Sequence, residues 1–383
     1  MIITPLNLSH DTHPILERIG IDRGAYKILG AKMQLHTILI EGLLTQAANI
    51  LKQDALSIGA DVAVPRGVIS CETPTVDALL IGTTKHMAIL AQKERAQPFG
   101  LREVARYLEQ WVKRTTPQKV EIMGIVNANH DSFYAQSRFE GAQAVAHIRN
   151  LIAQGASIID LGGLSSRPGS TPIAPSEELA RVAPIIDAIY EEKLFEEARF
   201  SIDSYAPLVM EYALSRGFRI VNDITGLADD AVCSIAARHG AQVVIMHMQG
   251  TPQTMQTAPT YEHLFDEIHR FFEERIAKAK AFGIEDIVLD VGIGFGKTLA
   301  HNVALVRHLE AFSVLGYPLL VGASRKSLID ALSPSRIEER LAGTLALHLE
   351  AVRNGASILR CHDVFEHAQA LRVHEALQQA TIF

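Results

Sequence analysis

From about residue 120 onward, short, nearly continuous apolar runs ending in polar residues alternate with longer amphipathic stretches. The runs are EIMGIVN (121–127), SIIDLGG (157–163), RFSIDS (199–204), IVNDIT (220–225), QVVIMHM (242–248), IVLDVG (287–292), LLVGASR (319–325) and SILRCHD (357–363). Strands buried on both faces look like this, because neither face has water to meet. Segments such as FEGAQAVAHIRNLIAQG and YEHLFDEIHRFFEERIAKAKAFG read as helices between them, closing on Gly155 and Gly283. Eight strand–helix units over roughly 260 residues predict a (β/α)8 barrel. A doubly wound open sheet would have fewer strands and a glycine-rich nucleotide turn after the first.

Residues 1–118 read as a separate α/β extension, bounded by the polar RTTPQK at 114–119, with a catalytic domain over 119–383. HPILERIG, QLHTILIEGLLTQAANILKQDALSIG and LREVARYLEQWVKR carry helical patterns, and IITPLN, RGVIS and VDALLIGT shorter β-like ones. No titratable cluster concentrates there, so packing or dimerisation is its expected role. The formal charge of -7 argues against general nucleic-acid or anionic-membrane binding, while permitting a local basic pocket. Cys71, Cys233 and Cys361 lie far apart without a CxxC pair, fitting a reducing cytoplasm and no zinc site. The N-terminus lacks a signal-peptide pattern and no apolar run reaches membrane-spanning length, so a cytoplasmic location is expected.

In a barrel the C-terminal strand ends carry function. Here they read Asn127, Asp160, Asp203, Asn222 with Asp223, His247, Asp290, Ser324–Arg325–Lys326, and Arg360 with His362. Burying so many polar groups without a ligand is costly, so their convergence predicts an active site. Acceptors and amides (Asp203, Asn222, Asp290) face donors (Lys326, Arg360, His362). That gradient suits a ligand with an N–H-rich heterocycle at one end and phosphate or diphosphate at the other. Arg325 reads equally well as a site residue or a solvated surface charge.

Two loops read as functional: Asn127–Tyr134, and Gly162–Gly169 with Ser165, Ser166, Arg167 and Pro168, the latter composed like a lid that grips an anion. Gly292-Ile-Gly-Phe-Gly-Lys-Thr298 fails both nucleotide patterns, since a P-loop needs glycine at Val291 and a dinucleotide turn needs it at Lys297. A Mg²⁺ held mainly by diphosphate needs only one amide or carboxylate, which Asn127 or Asp131 could supply. No nucleophilic triad is visible, which favours direct displacement.

Together MGIVNANHDSF, DLGGLSSRPGS, SIDSY, VNDITG, VVIMHMQGTPQTMQ, LDVGIGFGKT, YPLLVGASRKS, RLAGT and RCHDV resemble, in order, the dihydropteroate synthase family of pterin-binding (β/α)8 enzymes. The resemblance runs from about residue 121 to 375. It implies condensation of 6-hydroxymethyl-7,8-dihydropterin diphosphate with 4-aminobenzoate, with Mg²⁺ and a homodimer. It implies that Asn127 binds Mg²⁺ and diphosphate, that Asp203, Asn222, Asp290 and Lys326 hold the pterin, and that Arg360 and His362 clamp diphosphate. Ser166, Arg167, Pro168, Phe295 and Ser327 would meet aminobenzoate, and Asp131, Lys326 and Arg167 would serve catalysis.

The departures fall mostly on the loops: Ala135 stands where the family has a second aspartate, Leu164 where it has glutamate, Ser166 where it has threonine and Val291 where it has proline. Parts of the extension, such as ANILKQDALSIGADVAVPRG, resemble that of longer members. A corrinoid-linked pterin methyltransferase and a non-catalytic pterin-binding paralogue are the competing expectations. The combination of SSRPG, SRKS and RCH argues against the methyltransferase.

Overall fold

The computed structural model describes residue 3 and residues 12–114, 117, 119–128, 137–164 and 173–380, with the backbone alone for 137–142. The chain forms two compact units, Met1–Thr115 with His374–Phe383, and Thr116–Val373.

The first unit holds α1 (His13–Ile19), α2 (Arg23–Met33), β1 (Leu35–Leu44), α3 (Thr45–Leu56), β2 (Asp61–Ala63), β3 (Thr75–Thr83), α4 (Thr84–Lys93) and α5 (Leu101–Lys113). Its strands make an antiparallel sheet in the order β1-β3-β2. Two sequence expectations fail here. The long helical pattern at 34–59 is a strand followed by a helix, because Leu35–Leu44 pairs along β3 from Leu35↔Thr83 to Leu44↔Thr75. Long-range pairing thus overrides a local period that fits either element. RGVIS forms a turn rather than a strand, with Gly67 at φ +85° and the Cys71 N–H donating to the Val68 carbonyl. IITPLN lies almost wholly outside the described residues.

The second unit is a closed parallel barrel in the order β10-β11-β4-β5-β6-β7-β8-β9. Its strands are β4 (Glu121–Asn127), β5 (Ile158–Gly162), β6 (Arg199–Asp203), β7 (Ile220–Asp223), β8 (Gln242–Met246), β9 (Ile287–Asp290), β10 (Leu319–Val321) and β11 (Ala356–Cys361). Each falls within or overlaps one of the eight apolar runs. The helices are α6 (Ser137–Gln154), α7 (Pro175–Glu191), α8 (Pro207–Leu214), α9 (Asp230–His239), α10 (Leu264–Ala281), α11 (Leu299–Arg307), α12 (Ser327–Leu332), α13 (Leu341–Arg353) and α14 (Val364–Gln379), the last counted with this unit only as far as Val373. Among the described residues, no helix is long and apolar enough to cross a membrane.

Two cores explain why the strands are apolar on both faces. The outward side chains, among them Leu161, Phe200, Val221, Ile245 and Leu289, pack with the helices. The interior is a second cluster of Met123, Ile158, Ile220, Val244, Val288, Leu320 and Ile358, one from each of seven strands. On β6 the position of the same parity is the buried Ser201. Side chains alternate along a strand, so the residue two places further on points into the barrel one layer higher. Those residues are Ile125, Asp160, Asp203, Asn222, Met246, Asp290, Gly322 and Arg360. The layer above the apolar plug is therefore where three carboxylates, Asp160, Asp203 and Asp290, converge with Arg360.

Candidate active site

A cavity of about 560 Å³ opens at the C-terminal end of the barrel, lined by Asn127, Asp203, Phe295, Lys326, Ser327, Arg360 and His362 among others. Asn222 and Asp290 are buried, at 5% and 7% exposure. Adjacent strands set this up directly: Asn127 is in register with Gly162, Gly162 with Asp203, and Asp203 with Asn222.

Two charge groups organise the cavity. In the first, Arg360 Nε donates to Asp160 Oδ2 at 2.6 Å and Arg360 Nη2 donates to Asp203 Oδ2 at 2.6 Å. Asn222 Nδ2 donates to the same Asp160 oxygen at 3.0 Å. Burial works against the Arg360 charge, yet the fields of Asp160 and Asp203 outweigh it and hold the guanidinium above its ordinary value. Burial pushes Asp203 up to about 7, with Arg360 opposing and Asp160 reinforcing the rise. Asp160 was read in the sequence only as a strand end. Its position two residues beyond the interior Ile158 was the signal that it belongs in the layer of Asp203 and Asn222. It organises both Arg360 and Asn222.

In the second group, Asp290 Oδ1 accepts from the Gly292 N–H at 2.8 Å. Burial raises its pKa, and Lys326 is the strongest influence in the opposite direction. Burial lowers Lys326 to about 8, with Asp290 pulling it back up. The Lys326 ammonium donates to the Ile293 carbonyl and stands 4.5 Å from the Phe295 ring centroid, a cation–π distance. Lys326 is therefore charged below about pH 8 and neutral above it. Affinity for an anionic or carbonyl-bearing ligand there is expected to fall by up to about tenfold per pH unit above that point. A flat calorimetric affinity from about pH 7 to about pH 10 would contradict this.

The loop after β9 is braced from beneath. Lys297, 3% exposed, donates to His247 Nδ1 at 3.0 Å and to the Phe295 carbonyl at 2.9 Å. Burial lowers Lys297 to about 7, and burial together with Lys297 lowers His247 to about 3, so the imidazole is neutral. Gly292 has φ +67°, and a Cβ there would stand 1.9 Å from the His247 carbonyl oxygen. Gly292→Ala is expected to cost at least about 2 kcal/mol, read as a lowered urea midpoint. An unchanged midpoint would show that the loop does not need this approach.

Several strand-end residues point elsewhere. Asp223 is fully buried and folds into its own turn, accepting from the Thr225 N–H at 2.7 Å and the Leu227 N–H at 3.0 Å. It is one residue out of phase with Asn222, as His247 is with Met246. Arg325 lines the cavity and is partly exposed, but its guanidinium is engaged away from Asp203 and Asp290: its Nε donates to Asp363 Oδ2 at 3.0 Å. Ser324 Oγ and His362 Nδ1 lie 2.9 Å apart at the basic side. Met255, Ile337 and Arg340 also line the cavity, and strand ends alone gave no hint of them. Asp131, Ser166, Arg167 and Pro168 lie outside the described residues. Among the described residues, no group of three or more His, Cys, Asp or Glu side chains could hold a metal ion.

The chain is similar to proteins of known family. The family model of pterin binding enzymes matches residues 123–362. The bifunctional dihydropteroate synthase/dihydropteroate reductase of Helicobacter pylori is 39% identical over 95% of this chain and 96% of that protein. The dihydropteroate synthase of Escherichia coli is 43% identical over 68% of this chain and 92% of its own length. A Xanthomonas albilineans dihydropteroate synthase, solved with 4-aminobenzoic acid, superposes with a TM-score of 0.64 at 37% identity, covering 70% of this chain and all of that one. With a family model spanning most of the chain and a relative alike over nearly all of it, this chain belongs to the pterin-binding enzyme family.

Proposed function

We propose that the chain is a dihydropteroate synthase, a transferase of folate synthesis. It joins 6-hydroxymethyl-7,8-dihydropterin diphosphate to 4-aminobenzoate and releases diphosphate. The observation that carries this is the paired charge groups at one barrel mouth, Asp160–Asp203–Asn222 with Arg360 and Asp290 with Lys326. A pterin presents an aminopyrimidinone edge whose N–H groups meet Asp203 and Asp290, while the Asn222 amide and Lys326 meet its acceptors. Arg360, His362 and Asn127 take the diphosphate. Phe295 and Ser327, with Ser166, Arg167 and Pro168, take the aminobenzoate.

The arylamine is a weak nucleophile, so the rate is set by departure of the diphosphate. As the C–O bond to diphosphate breaks, the arylamine nitrogen bonds to the pterin methylene, and the proton the amine loses leaves with the diphosphate or passes to water. Cationic groups aimed at the leaving oxygens stabilise charge that develops only in the transition state. Asp131 and Arg167 complete the catalytic set from the two loops. The amide of Asn127 suits a hard cation that arrives mostly coordinated by diphosphate. Such a Mg²⁺ would neutralise charge on the leaving group. The barrel domain at 119–383 carries this activity, the chain works as a homodimer, and its unpaired Cys71, Cys233 and Cys361 fit a cytoplasmic setting. Light scattering tests the dimer.

The extension at 1–118 favours a second activity. The Helicobacter pylori relative aligns over 95% of this chain, and its name pairs the synthase with a dihydropteroate reductase. The chain is thus also a dihydropteroate reductase, adding two electrons and two protons to the synthase product from a reduced nicotinamide or flavin donor. Donor oxidation that depends on dihydropteroate tests it; its absence with both donor classes would remove the reading. For the synthase, complementation of a strain lacking that enzyme is expected. Soluble expression without growth would favour a non-catalytic pterin-binding protein.

A further inference from the structure

Behind the turn that follows β10 lie two histidines that the chemistry above does not use. His348 on α13 and His367 on α14 are 0% and 1% exposed. The Ala323 N–H donates to His348 Nε2 at 3.0 Å, which makes that nitrogen an acceptor and puts the ring proton on Nδ1. His348 Nδ1 then donates to His367 Nε2 at 2.8 Å. The remaining His367 proton sits on Nδ1 and points to the Asp363 carbonyl at 2.6 Å. Every donor meets an acceptor with both rings neutral, and one further proton would set donor against donor. Burial lowers both pKa values; Lys326 adds to this at His348, whereas Asp363 and Glu366 oppose it at His367.

The wire closes on itself. Asp363, whose carbonyl ends it, also holds Arg325 through its carboxylate, and Arg325 is two residues beyond Ala323. Between them the backbone is strained: Arg325 has φ +55°, a region that side-chain-bearing residues enter at a cost. That turn carries Ser324, paired with His362, and leads into Lys326.

We propose that His348 and His367 are positioning residues for substrate binding, holding the Ala323–Lys326 turn so that Lys326 and the Ser324–His362 pair face the pterin diphosphate. The proposal rests on the pocket assignment made above. His348→Leu keeps the volume but removes the acceptor for Ala323. His348→Gln can both accept from Ala323 and donate to His367. In the full chain, His348→Leu is expected to raise KM for pterin diphosphate about tenfold or more, with kcat changed far less, and His348→Gln to restore most of the affinity. An unchanged KM in His348→Leu, or a lowered Tm with KM intact, would overturn the role.

Nitrogen-15 shifts of the imidazoles give a readout independent of turnover: both rings should be neutral with the proton on Nδ1. An Nε2-protonated His348 would also overturn the proposal. Calorimetry with pterin diphosphate separates the two claims. If the parent chain fails to bind, the pocket assignment is at fault. If it binds and His348→Leu binds equally well, the positioning role alone is wrong.

Discussion

Replacing Arg360 with alanine is expected to unsettle the acidic half of the site, not merely to remove one phosphate contact. Its guanidinium lies between Asp160 and Asp203 at 2.6 Å from each. Asp160 is fully buried, and the Asp203 side chain is 14% exposed at the cavity. Removing a buried counter-charge leaves the partners uncompensated, which costs about 3–5 kcal/mol in comparable pairs. Part of that is relieved if a carboxyl takes up a proton, and Asp203 is already raised to about 7. Arg360→Ala should therefore lower Tm clearly near neutral pH and recover some of it on acidification. The sign follows because protonating the orphaned carboxylate removes the buried charge. Affinity should fall for free hydroxymethyl dihydropterin as well as for its diphosphate, and more for the latter. Loss confined to the diphosphate form would show that the ion pairs with the acids do not matter to pterin binding.

Asp290→Ala is expected to have the second large effect. It removes the acceptor for the Gly292 N–H and the carboxylate that keeps Lys326 charged. A buried ammonium without its counter-ion shifts further toward neutrality. Both a pterin-facing acceptor and a pterin-facing cation are then lost together. The expected loss of pterin affinity is about 3–5 kcal/mol, beyond the ~1–3 kcal/mol of one hydrogen bond. Asp290→Asn should retain the bond to Gly292 and lose only the electrostatic part. Equal calorimetric affinities for parent and Asp290→Ala would refute the pairing with Lys326.

The eight strands were legible because a parallel barrel needs apolar side chains on both strand faces, and the runs end where those faces reach the cavity. The candidate acids were legible for the same reason, but only to within one residue. Asn222 and Asp223 are neighbours of similar chemistry, and only the register separates an inward amide from a carboxylate that caps its own turn. Asp160 was visible as a strand end, yet its bonds to Arg360 and Asn222 reach 200 and 62 residues along the chain, which no local pattern encodes. Lys297 looked like part of a failed nucleotide motif, and its link to His247 likewise joins two distant loops. The β1 segment looks helical in the sequence because Leu35–Leu44 satisfies a helical period, and only its pairing with β3 makes it a strand.

The most direct test of the synthase reading is simultaneous measurement of diphosphate and dihydropteroate. Purified full chain would be given Mg²⁺, pterin diphosphate and 4-aminobenzoate. Equal amounts of the two products, each requiring both substrates, are what the account predicts. Tight binding of pterin diphosphate with neither product formed would contradict it.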